Sequence, residues 1–103
     1  MVDFSIESDA AAGLALKLAT DDWEVNVYGS VEDLSRLSEI RSANWGERRS
    51  IQAGESAGAR AYWASTGDRA ALMLGRDDET WDVSITVPYE VIDEVVREIR
   101  RHN

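Results

Sequence analysis

Cysteine is absent from this chain, and histidine, proline and lysine each occur once, as His102, Pro88 and Lys17. Without cysteine there are no disulfides and no thiolate chemistry, so an intracellular, cytoplasmic setting is the natural expectation. A lone histidine, penultimate in the sequence, leaves zinc almost without ligands and would set the base of a Ser-His-Asp triad on a frayed end. Long apolar runs are missing too. No segment approaches the roughly 20 apolar residues of a membrane span. The stretch Met1 to Glu7 has no basic region followed by an apolar run, so no signal peptide is expected. Cations are scarce: 11 Lys and Arg stand against 20 Asp and Glu, for a net charge of −9. Such a balance argues against binding nucleic acid or anionic membranes, both of which call for a basic surface.

What is present suits a folded domain. Apolar residues make up 44% of the 103 positions, and four tryptophans offset the charged fraction, so disorder is not expected. A chain of this length forms one domain, residues 1–103, and buries about 65% of the surface its unfolded form exposes. Charge is uneven along it. Residues 1–35 hold eight acids against Lys17, residues 36–76 have a basic excess, and residues 77–103 are acidic again. Internal pairing of the three blocks, or one acidic and one basic face, would each follow from this.

Three stretches alternate apolar and polar residues as half-buried strands do: Val2, Phe4 and Ile6; Leu14, Leu16 and Leu18; Trp23, Val25 and Val27. Their connections are too short for parallel crossovers, so an antiparallel meander is expected. Ser30 followed by Asp33 reads as a helix start, with Leu34, Leu37 and Ile40 as its buried stripe and Glu32–Arg36 as a surface pair. This helix is expected to stop near Ala43 and Asn44. Strands are then expected over 48–53, 60–64, 70–74 and 81–87, separated by turns at 54–58, 65–68 and 75–79. On the last strand Trp81 is expected to share an apolar face with Val83, Ile85 and Val87. Pro88 suits a first helical turn, and Val91, Ile92, Val95, Val96 and Ile99 form the stripe of a closing helix with an Asp93–Arg97 surface pair. The order β-β-β-α-β-β-β-β-α predicts an α+β fold of two layers, an antiparallel sheet of six to seven strands with two helices on one face.

Catalytic signatures are weak. Gly54-Glu55-Ser56-Ala57-Gly58 has the spacing of a nucleophile elbow, but strands rather than a strand and a helix flank it. Asp77, Asp78, Glu79 and Asp82 form the one dense carboxylate cluster. Their spacing does not match a calcium loop. A solvated turn, a contact for a basic partner, and a metal or catalytic role all remain open there. Trp45, between Asn44 and Gly46, suits either an exposed contact with a partner or a lid over the sheet edge. No cofactor is expected.

One further feature is the order of Ser30 to Leu37, Ser50-Ile51-Gln52-Ala53-Gly54, Gly58 to Trp63, a strand ending in Gly75-Arg76-Asp77, and Val87-Pro88 before the last helix. Over about residues 25–100 this resembles small actinobacterial immunity proteins of polymorphic toxin systems. The resemblance implies a non-catalytic inhibitor that binds and neutralises a cognate toxin. An acidic charge fits that role independently, because it steers a basic partner. The expected contact residues are Asp77, Asp78, Glu79, Asp82 and Trp45. Two other classes stand beside it: a structural or adaptor domain that forms homodimers, and a small-ligand carrier with a pocket between sheet and helices.

Overall fold

A computed structural model describes residues 2–77 and 80–102. The alternating stretches form one antiparallel sheet of seven strands in chain order. These are β1 (Asp3–Asp9), β2 (Gly13–Ala19), β3 (Glu24–Gly29), β4 (Ile51–Ser56), β5 (Ala59–Thr66), β6 (Arg69–Gly75) and β7 (Trp81–Pro88). The expected α+β architecture is therefore observed. Register carries the apolar positions onto one inner face. Phe4 lies opposite Leu18, Leu16 opposite Val27, Ile51 opposite Trp63, Trp63 opposite Leu72, and Leu72 opposite Ile85. Helix α2 (Tyr89–Arg101) packs on this face against β1, β6 and β7. Its buried Ile92, Val95, Val96 and Ile99 recur at helical spacing, and Arg100 and Arg101 sit in its last turn, where cations offset the dipole. Pro88 is the residue before the first helical turn, not within it, and so closes β7 as well.

The first helical segment differs from expectation. It begins as α1 (Val31–Leu34), with the Ser30 hydroxyl accepting the Asp33 N–H at 2.9 Å. It then tightens into a 3₁₀ helix over Ser35–Ser42. The cause is in the spacing: Leu34, Leu37, Ile40 and Ala43 recur every third residue, and all are buried. Only a helix of three residues per turn eclipses such a row on one line. The same tightening replaces the Glu32–Arg36 pair. Arg36 lies 3.7 Å from Asp33 and donates to the Gln52 carbonyl at 2.9 Å.

Two bulges shape the sheet. In β4 the register shifts between Gln52 and Glu55, so Gly54 belongs to the strand, and the turn shortens to Ala57 and Gly58. Gly54 has φ +83°, and a Cβ there would lie 2.5 Å from a Val27 methyl. Its N–H donates to Asp33 at 2.8 Å, which ties the bulge to α1. The second bulge lies between β6 and β7. Leu74 faces Val83, yet Gly75 faces Trp81. The extra residue turns Trp81 to the outer face, against the expectation that it shares a face with Val83 and Ile85. There it joins Tyr62, Ala64, Met73 and Trp45 in a second, smaller apolar cluster.

Helix α2 is latched to the 3₁₀ segment by Arg41, whose guanidinium donates to both Asp93 oxygens at 2.8 and 2.9 Å. Asp93 thus directs its hydrogen bonds between elements, to Arg41, while Arg97 of the expected pair adds a smaller charge attraction. The hydrogen bond from Arg41 holds the Asp93 carboxyl below its ordinary 3.8, with burial opposing. A carboxyl lowered by folding stabilises above its unfolded pKa and loses that contribution as pH falls through the folded value. The stability gap between the wild type and Asp93→Asn is therefore expected to be constant near neutrality and to close below about pH 4. Urea midpoints from neutral pH to about pH 2 measure it, and a gap that persists in acid refutes the role assigned to Asp93.

Candidate functional site

The helices leave one end of the inner face uncovered. There an open cleft of about 650 Å³ lies between β3 and the β6–β7 pair, lined by Trp23, Val25, Leu74, Val83 and Ile85, with Glu24, Asn26 and Tyr28 along β3 and Ser56 and Ala57 at one end. Among the described residues, the large hydrophobic side chains left exposed are Tyr28 (41%) and Val83 (43%), and both line it. Exposed apolar surface gathered at one place marks an interaction site more than scattered residues do.

The elements explain the position. Trp23 and Val25 continue the inner face of β3 past the point where β4 ends, since β3 and β4 pair only at Tyr28 and Glu55. Val83 and Ile85 continue the inner face of β7 opposite Leu74 and Leu72. Electrostatically the lining holds one acid, Glu24, and no cation. Exposed Asp22 precedes Trp23, and exposed Asp82 precedes Val83. Lys17 stands 3.9 Å from Glu24 on the outer face.

Of the sequence-predicted contact residues, Asp77, Asp82 and Trp45 lie within the described part of the structure. Asp82 is exposed at the start of β7, beside the cleft. Asp77 is exposed in the preceding turn, where its carboxylate accepts the Thr80 N–H at 2.7 Å. Asp78 and Glu79 lie outside the described residues. Trp45 is half-buried over the outer face, edge-on to Trp81 at 5.3 Å between centroids, with the Arg48 guanidinium 4.9 Å above its ring. The Ala43 carbonyl, bonded to the Ser65 N–H at 2.7 Å, anchors the loop that carries it across. Among the described residues, no group of three or more metal-ligating side chains converges, and no helix is long and apolar enough to cross a membrane.

Alternation alone reads Trp23, Val25, Val83 and Ile85 as core and gives no hint of a cleft. The available signal was helix length. The closing stripe of α2 ends at Ile99 and the 3₁₀ row at Ala43, too little helix to cover the inner faces of seven strands. No protein family, curated protein or solved structure matches the chain.

Proposed function

We propose that this protein is a non-catalytic protein-binding domain, and that it serves as an immunity-type inhibitor that neutralises a basic toxin partner. The observation that carries the reading is the open apolar cleft, which holds both exposed large hydrophobics and no cation, on a domain of net charge −9. Apolar anchors supply affinity in such a contact, and the acidic field raises the association rate with a basic partner. The cleft volume also falls in the range of small-molecule sites, which favours a ligand carrier as the second reading.

The test is calorimetry with the product of the gene beside its own, together with growth of cells expressing that product with and without this protein. The expected result is a one-to-one complex that weakens as salt rises, and restored growth. Val83→Asp, which places a carboxylate in the cleft wall, is expected to weaken the complex at least about tenfold. Neither binding nor rescue would refute the inhibitor role. A saturable rise in Tm with small apolar compounds, in the absence of a protein partner, would move the assignment to the ligand carrier.

A further inference from the structure

We infer, on the footing of the protein-binding reading, that the partner is held by strand addition: an extended segment of it pairs with the open edge of β3. Three consecutive β3 residues, Glu24, Val25 and Asn26, line the cleft together. Successive side chains of a strand point to opposite faces, so a cavity above one face would touch only alternate residues. A cavity touched by all three runs along the strand's edge.

Backbone phase agrees. The Thr20 N–H bonds the Trp23 carbonyl at 2.8 Å and closes the β2–β3 hairpin. In an antiparallel ladder the residues that exchange bonds with one neighbour alternate with those that face away. Trp23, Val25 and Val27 therefore bond toward β2, and Glu24, Asn26 and Tyr28 turn their N–H and C=O groups away from it. Tyr28 meets Glu55 of β4. Past that point β4 gives way to the Ala57–Gly58 turn, and among the described residues Glu24 and Asn26 have no ladder partner on this side. The other strand edges, on β1 and β7, both have α2 packed against their strands.

The same geometry states what the segment looks like. Side chains on its inner side enter the cleft against Leu74, Val83 and Ile85, so every second residue is apolar. The residues between lie on the outer face beside Glu24, so they include arginine or lysine. A second copy of this chain is opposed as occupant by the net charge of −9 and by an acid on the edge itself, a device that blocks self-pairing of strands.

The probe is a synthetic ten-residue peptide of alternating valine and arginine, titrated into the ¹⁵N-labelled full chain and followed by NMR and amide exchange. The expected result is that the Glu24 and Asn26 amides shift and become protected, and that the valine–glutamate peptide does neither. Asn26→Pro removes an N–H that bonds nothing within the sheet, which an edge position tolerates. It is expected to keep the cooperative unfolding transition and to lose about tenfold in peptide affinity. Unchanged affinity in that variant, shifts confined to Asp3–Asp9 or Trp81–Pro88, or no binding would each overturn strand addition. So would protection of the same amides by a dimer without peptide. Amide protection in the wild type decides between these outcomes by itself if Asn26→Pro does not fold. Strand addition can fail here while the calorimetric test of partner binding succeeds, so the two readings are separable.

Discussion

Trp63→Ala is expected to remove roughly 4–6 kcal/mol of stability, combining the usual cost of truncating a buried tryptophan with that of an orphaned carbonyl. Trp63 is fully buried at the middle of the inner face, with Ile51 and Leu72 as its cross-strand neighbours. Its indole N–H donates to the Ala53 carbonyl at 2.9 Å. The truncation therefore opens a cavity and also strands an acceptor in a site where Ala53 is itself fully buried. A domain of this size has only about 5–15 kcal/mol in total. The expected fall in Tm is on the order of 20 °C, since each kcal/mol is worth about 4–8 °C in a domain near this length. Trp63→Phe separates the two contributions. It keeps most of the buried area and loses the hydrogen bond, so it is expected to cost about 1–3 kcal/mol. Urea unfolding of the three proteins measures both differences. A loss below about 1 kcal/mol in Trp63→Ala would mean that the core rests on other contacts.

Trp63 also shows why the fold was legible in the sequence. Its place on the inner face, opposite to that of Tyr62, follows from period-two alternation alone, and so do the faces of β1, β2 and β3. Binary pattern determines which residues are buried together and hence how many strands a sheet has. It is blind where one residue is inserted. The bulges at Gln52/Glu55 and Leu74/Gly75 each reverse the parity of the residues after them, and they leave no mark in a pattern of apolar and polar letters beyond a glycine. The 3₁₀ segment was readable in principle, because Leu34, Leu37, Ile40 and Ala43 are spaced by three throughout. The shorter stripe Leu34, Leu37 and Ile40 also fits one face of an α-helix over two turns, so those three positions alone do not separate the two helix types.

The candidate site was less legible for a different reason. A cleft is made by what fails to cover a surface, and coverage depends on tertiary placement. Trp23 and Val83 lie far apart in sequence, and they line one cleft only because β4 ends early while β3 and β7 continue. The acidic cluster, by contrast, is plain in the sequence, because charge is visible residue by residue. Asp82 precedes Val83 of the cleft wall by one position but does not itself line the cleft.

Gly75→Ala is expected to have the second largest effect, and it acts on both sides of the sheet. A Cβ at Gly75 would overlap the Thr80 carbonyl oxygen and the Trp81 Cα. Both are backbone atoms, so no rotamer change relieves the contact, and the bulge must open. Overpacking of this kind costs about 1–3 kcal/mol. The structural consequence is specific, because this bulge sets the phase of β7. If it is lost by a shift of one residue, Trp81 turns inward, and Trp45 loses the edge-on partner it has at 5.3 Å. Val83 keeps its place opposite Leu74, and the Trp81 indole then shares its face and crowds that end of the cleft. Tyr62 and Met73, buried beneath the tryptophans, would become accessible to water. The measurement is near-UV circular dichroism and tryptophan emission alongside far-UV dichroism. Altered near-UV bands and a red-shifted emission are expected with the strand content retained, because Trp63, Leu72 and the helices do not depend on the bulge. An unchanged near-UV spectrum with unchanged stability would show that β7 keeps its register by other means. Loss of the valine–arginine peptide's binding together with the near-UV change would tie the cleft to the same single residue.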